Sequence, residues 1–243
     1  MVYRFAVISA VGGKQEREKL LYRGDHGFRA RMITQDILTK YENIDGILIT
    51  GMSDYQMKHV DSYMLSRGYK KIISPDFMKQ KDKWRFTCLT AAYVKERSNQ
   101  IRYNEEEIDT IYRYVAFSVP GDIEIRLVHV PGADSDKPNY DKQLQRKRAM
   151  LAWEEGLEKD EISVNKKVIS CGDWNTEIGN MECHDLFDKL TYEKLLDEIT
   201  WGSSKIDNVL CSPCLSGKVK AYTDDYRWGQ TSDHKTVLFE VRD

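Results

Sequence analysis

No stretch of this 243-residue chain approaches the ~18 consecutive apolar residues that a membrane-crossing helix needs. The opening run Phe5-Ala6-Val7-Ile8 is too short for the core of a signal peptide, and charge follows it at once from Lys14 to Lys19. It reads as a first strand, and the chain reads as a cytoplasmic protein with no membrane partner. A large excess of one charge is also missing. The 37 Lys and Arg against 39 Asp and Glu leave a formal net charge of −2. That balance excludes a global attraction for nucleic acid or anionic lipid, so any such binding must come from a local basic patch. Cysteines are few and odd in number, Cys88, Cys171, Cys183, Cys211 and Cys214, without a repeating spacing. This argues against a disulfide framework and fits reduced thiols. Internal repeats, low-complexity segments and an interdomain linker are all absent, which predicts one domain over residues 1–243.

What is present is an ordinary globular composition, 41% hydrophobic and 31% charged, in which strand and helix patterns alternate. Residues 3–11 read as a strand and 28–41 as an amphipathic helix. Ile47-Leu48-Ile49 reads as a short buried strand closed by Gly51. Residues 54–67 are helical, with Gly68 as the C-terminal cap, and 69–73 form a strand. The middle is β-rich: 86–94, then 111–119 and 123–130 as a hairpin across Pro120-Gly121. Residues 140–158 form a long helix and 168–170 a strand. Residues 186–199 are predicted helical, and 207–210 and 236–241 are the last strands. Alternating elements with two β-rich halves predict an α/β layered sandwich.

Chemistry concentrates in the last third. Gly172-Asp173-Trp174-Asn175 follows the apolar run Val168-Ile169, Ser232-Asp233-His234 precedes Val237-Leu238-Phe239, and Lys205-Ile206-Asp207 leads into Asn208-Val209-Leu210. Carboxylates, an amide and an imidazole at strand ends are the parts needed to hold a hard metal ion and attack a phosphate ester. Taken singly, each pattern also suits an Asx-turn or a loop hydrogen bond. The CxxC spacing Cys211-Ser-Pro-Cys214 could join Cys183-His184 in a zinc site, or simply mark a strand end followed by a turn at Pro213. Lys142 and Arg146-Lys147-Arg148 make a basic cluster on the long helix, which suits a solvated face.

In combination these residues resemble the endonuclease/exonuclease/phosphatase superfamily. Gly172, Asp173, Trp174 and Asn175 match its GD-aromatic-N pattern. Ser232, Asp233 and His234 match its SDH pattern, Lys205-Ile206-Asp207 its basic-I-D pattern, and Leu127-Val128-His129 its strand ending in histidine. The resemblance implies a four-layered αββα sandwich with two packed mixed β-sheets flanked by helices. It implies a phosphodiesterase dependent on Mg2+ or Mn2+, acting as a nuclease on DNA, RNA or another phosphate ester. In that reading Asp173 activates the attacking water, Asn175 and His129 hold the phosphate, and His234 stabilises the transition state. Asp233 binds metal or orients an active-site histidine, while Asp207 and Ser232 support the loops or a histidine. Tyr226, Arg227 and Trp228, just before the SDH pattern, are placed to stack on substrate bases.

Two positions depart from the pattern. Ala10 stands where the superfamily has an asparagine, and Thr50-Gly51 where it has Gln-Glu, the glutamate being a principal metal ligand. Gln56 supports this register. Asp54 is the nearby carboxylate that could reach in as a metal ligand, and Ser9 or Ser53 could hold a metal-bound water. The alternative to an attenuated hydrolase is a catalytically inactive scaffold binding a nucleic acid, a nucleotide or a protein partner in the same cleft.

Overall fold

The computed structural model describes residues 1–10, 26–52, 54–73, 89–101, 113–161, 165–180, 192–224 and 232–243, with the side chains of 26–30, 54–55 and 156–161 left outside the description. In chain order the strands are β1 Val2–Ser9, β2 Gly46–Met52, β3 Tyr69–Ile73, β4 Leu89–Lys95, β5 Asn99–Ile101, β6 Tyr114–Val119, β7 Ile123–His129, β8 Lys167–Asp173, β9 Glu193–Lys194, β10 Asp207–Cys211, β11 Val219–Asp224 and β12 Thr236–Arg242. The helices are α1 His26–Lys40, α2 Asp54–Leu65 and α3 Tyr140–Glu161, with a 3-10 turn at Pro213–Leu215.

The strands form two six-stranded mixed sheets. One runs β11-β12-β1-β2-β4-β3 and the other β5-β6-β7-β8-β10-β9. Each has one parallel pair near its centre, β1 with β2 and β7 with β8, and antiparallel neighbours elsewhere. Side chains alternate across each strand, and the alternation sorts them into layers. Phe5, Val7, Leu48, Ala92 and Val94 of the first sheet meet Phe117, Ile125, Leu127, Ile169, Cys171 and Val209 of the second in one inter-sheet core. The opposite face of the first sheet, Ala6, Ile8, Ile47, Ile49 and Tyr93, packs on Ile33 and Ile37 of α1 and Met57, Val60 and Met64 of α2. The outer face of the second sheet, with Tyr114, Ala116, Val128 and Leu210, packs on Met150 and Leu151 of α3. On α1 and α2 these residues recur at three- and four-residue steps, as a buried helical face requires. The result is an αββα sandwich.

Under α3 the second sheet also carries a buried ionic network. Arg126, fully buried, has its Nε 2.5 Å from Glu124 Oε1 and an Nη atom 3.8 Å from Glu154. Ser170 donates to Glu154 at 2.7 Å, and Lys166 lies 3.2 Å from Glu124. Such a network fixes how the helix sits, because removing one partner strands a buried charge at a cost of about 3–5 kcal/mol.

Three local expectations are corrected. Gly51 does not close β2. The strand runs on to Met52 through a bulge in which the register with β4 shifts between Ile49 and Met52, and Gly51 adopts φ +74°. That left-handed conformation is one glycine takes at no steric cost, whereas other L-residues pay for it. Within 186–199, the described residues 192–199 are not helical: Glu193 and Lys194 pair with Cys211 and Leu210. The Asn208 side chain explains this, because it accepts from the Leu196 N–H and donates to the Leu196 carbonyl, satisfying the backbone as a strand partner would. Finally, the basic cluster on α3 is not all a solvated face. Arg148 and Lys142 are exposed, but Lys147 is buried and its amino group donates to the Asn175 carbonyl at 3.0 Å.

Candidate active site

Strand polarity gathers the candidate residues at one end of the sandwich. β7 and β8 are parallel and in register, so their last residues, His129 and Asp173, lie side by side. β10 is antiparallel to β8, so its first residue, Asp207, pairs with Asp173 from the other side. The alternation that sends Leu127, Cys171 and Val209 into the inter-sheet core sends His129, Asp173 and Asp207 to the same face.

Gly172 makes this possible. Its φ is +139°, and a Cβ there would sit 2.0 Å from the Val128 carbonyl oxygen, so β7 and β8 can approach just before their functional ends only if the residue is glycine. After Asp173 the chain turns sharply. The Asn175 N–H donates to Asp173 Oδ1 at 2.9 Å, an Asx-turn, and Asn175 itself has φ +48°. Its side-chain amide donates to the Val130 carbonyl at 2.8 Å, which ties the loop after β8 to the loop after β7.

The first sheet supplies the remaining imidazole. Ser232 donates to the Ser9 carbonyl at 2.8 Å and accepts from the His234 N–H at 3.0 Å, anchoring the segment before β12 against the end of β1. His234 then crosses to the second sheet, its Nδ1 2.8 Å from Asp207 Oδ2. His129 Nε2 is 3.6 Å from Asp173 Oδ2, beside the carboxylate but too far for a hydrogen bond.

Electrostatics follow from burial and spacing. Asp173 is pushed up to about 7, first by burial and then by the neighbouring Asp207 carboxylate. Burial pulls His234 down, but the Asp207 carboxylate and its hydrogen bond override that and raise it to about 9. His129 is held well below the ordinary histidine range by burial, with Arg113 and His234 adding positive charge nearby, so it is neutral at pH 7.

Asp173, Asp207 and His234 bring ligand-type atoms within 4.8 Å of one another; with His234 protonated, the two carboxylates are the donors of that group. Two carboxylates this close, one of them disfavouring ionisation, fit a divalent cation, whose charge would relieve the repulsion between them. Asp233, the expected metal ligand, is not part of that group. Its Oδ2 accepts from the Trp201 indole N–H at 3.0 Å, and Asp207 stands in the cluster instead. Asp54 opens α2, its side chain outside the described residues, and Ser53, Tyr226, Arg227, Trp228, Cys183 and His184 lie outside them altogether. Ala10 and Gly51 sit at the ends of β1 and β2, with Gln56 donating to the Ala10 carbonyl at 3.2 Å. Cys211 ends β10 and Cys214 lies in the 3-10 turn, its thiol donating to the Lys166 carbonyl at 3.2 Å. Among the described residues no cysteine belongs to a metal-ligating group of three.

Three residues at this end were not visible as site residues in the sequence. Arg113 precedes Tyr114, which pairs with Val128, so it comes alongside His129, and its charge acts on both His129 and Asp173. Lys147 steadies the Asp173 loop from α3. Trp201, 41% exposed, bridges to the His234 backbone and holds its ring 6.1 Å from the imidazole. Lys147 stood out in the sequence only as part of the basic cluster, and nothing there marked Arg113 or Trp201.

No protein-family model and no curated protein matches the chain. Solved structures do. A 3'-5' exonuclease, NExo, from Neisseria meningitidis superposes with a TM-score of 0.71 at 15% identity, covering 99% of this chain and 100% of that one. NExo from Neisseria described as a 3' phosphatase bound to product DNA hairpin gives 0.68 at 15% identity over 99% and 100%. An AP endonuclease from Archaeoglobus fulgidus gives 0.68 at 14% identity over 98% of each chain. At such identities the likeness speaks for the fold. The chain shares the fold of these nuclease structures.

Proposed function

We propose that this protein is a divalent-metal-dependent phosphodiesterase that cleaves nucleic acid. The observation that carries the reading is the buried group Asp173, Asp207 and His234, closed to 4.8 Å by strands from both sheets and flanked by His129. Asp173 accepts the proton of the attacking water, a task suited to a carboxylate whose affinity for a proton lies near neutrality. His234, kept cationic by Asp207, faces the phosphate and stabilises the charge that builds on its oxygens. His129, neutral, completes the wall beside Asp173. Asn175 holds the carboxylate in place through the turn and the tie to Val130. Asp173 and Asp207 would hold the cation, which when bound neutralises phosphate charge at the scissile group.

Nucleic acid is favoured over a small diester by Trp201. An exposed indole beside a phosphate-facing histidine offers a stacking surface for a base. The Neisseria structure with a DNA hairpin shows that this fold accommodates such a ligand in that protein. Ala10 and Gly51 support a second reading, a scaffold that binds without cleaving, because they withhold an amide and a carboxylate from the cation.

Hydrolysis of plasmid DNA, RNA and bis(p-nitrophenyl) phosphate, with Mg2+ or Mn2+, decides between the two. Metal-dependent turnover that disappears in Asp173→Asn supports the enzyme. Equal background rates in both proteins, with nucleic acid still bound, support the scaffold.

A further inference from the structure

On the inter-sheet face of the first sheet, two threonines lie at the end of the sandwich where the carboxylates of the second sheet lie. Along β2, Leu48 faces the inter-sheet core, and so does Thr50 two residues on; along β4, Ala92 faces the core, and so does Thr90. The bulge sets Thr50 and Gly51 against Thr90, so the two threonines are cross-strand neighbours at the same end of the sandwich as His129. β2 and β4 both pack over β7. Thr50 and Thr90 are 0% and 2% exposed, and neither hydroxyl finds a hydrogen-bond partner among the described residues. The Nδ1 of His129, 5% exposed, finds none either.

Buried polar atoms without partners are uncommon, and each costs about 1–3 kcal/mol if left dry. Three of them at the same end of the sandwich, on facing sheets, suit a polar occupant between the sheets. Its sign follows from Arg113, which stands alongside His129 with its positive charge; the hydroxyls and the neutral imidazole, each able to donate or accept, then donate to the anionic oxygens. At the ends of β1 and β2, Ala10 and Gly51 offer no anionic oxygen to a cation.

We infer that Thr50, Thr90 and His129 Nδ1 form a phosphate subsite, which takes the phosphate next to the scissile one on the same strand. The subsite rests on the phosphodiester reading for the identity of its occupant. It adds that the substrate carries at least two phosphates and that this half of the cleft is an anion site, not a cation site.

The test is binding, read without turnover. A thymidine dinucleotide with and without a 5' phosphate is titrated into the full chain in EDTA. The wild type is expected to favour the phosphorylated form about tenfold, the scale of one or two hydrogen bonds to a charged group. Thr50→Val and Thr90→Val are each expected to erase most of that preference without lowering the melting temperature, since valine keeps the shape and removes a buried hydroxyl. Thr50→Ser, which keeps the hydroxyl, is expected to keep the preference. A wild type indifferent to the added phosphate, or valine variants that retain the full preference, would overturn the subsite. Hydrolysis without a phosphate preference sinks the subsite alone, and a preference in a protein that does not hydrolyse sinks only the enzyme.

Discussion

His234 and Asp207 meet at 2.8 Å although one leads into the first sheet and the other opens a strand of the second. His234 is held against the end of β1 by Ser232, and Asp207 is the first residue of β10. Their pair therefore fastens the two layers together at the end where the candidate catalytic groups lie.

The pair makes stability depend on pH. His234 is raised from an ordinary 6.5 to about 9, so its contribution is fully present below pH 6.5 and is lost as pH rises through 9. Asp207→Asn removes the partner. Melting temperature measured between pH 6 and pH 10 without metal is expected to fall with pH in the wild type and to flatten in the variant.

Asp173 acts in a lower window. Its folded-state value, about 7 against an ordinary 3.8, means the folded protein holds this proton more tightly, so stability declines between pH 4 and pH 7 as the carboxyl is forced to ionise. Asp173→Asn should raise the melting temperature of the metal-free protein at pH 8 while lowering hydrolysis by at least about a hundredfold. A variant both less stable and equally active would contradict the assignment of Asp173 as a buried, functional base.

A cation between Asp173 and Asp207 stabilises by mass action, about 2.7 kcal/mol at a hundred times its dissociation constant. Thermal melts with Mn2+ or Mg2+ are expected to shift upward, more at pH 8 than at pH 5, where protonated Asp173 competes. The shift should vanish in Asp173→Asn. It should persist in Asp233→Asn, because Asp233 is engaged with Trp201 and stands outside the cluster.

Lys147 is expected to matter for geometry, not for binding. Lys147→Met removes the amino group that holds the Asn175 carbonyl, freeing a loop residue whose φ of +48° needs such support. The expected result is a fall in kcat of about tenfold with KM nearly unchanged.

Gly172→Ala is expected to abolish folding, because its methyl group would meet the Val128 carbonyl oxygen at 2.0 Å and rigid backbone cannot yield. Circular dichroism and solubility report this directly. Gly51→Glu, the change that would restore the superfamily pattern, should cost about 1–2 kcal/mol through its left-handed backbone.

Much of this protein was legible in its sequence because period and punctuation carry local information. Alternating apolar runs gave β1, β6, β7, β8 and β12, and Pro120-Gly121 gave the hairpin between β6 and β7. The Gly172-Asp173 and Ser232-Asp233-His234 patterns marked strand ends because glycine, Asp and Asn punctuate strands for steric and hydrogen-bonding reasons. The segment 192–199 escaped, since its backbone is satisfied by the Asn208 side chain, a tertiary partner no periodicity reveals. The bulge at Gly51 escaped because it is a property of two strands together. Composition and spacing determined that the chain would bury two β-rich halves under helices and place acids and imidazoles at strand ends. Only the packing of one sheet on the other decided that Asp207 would face His234, that Asp233 would turn to Trp201, and that Thr50 and Thr90 would lie at the same end of the sandwich, because side-chain chemistry across a cleft depends on which ends meet in space, not on order along the chain.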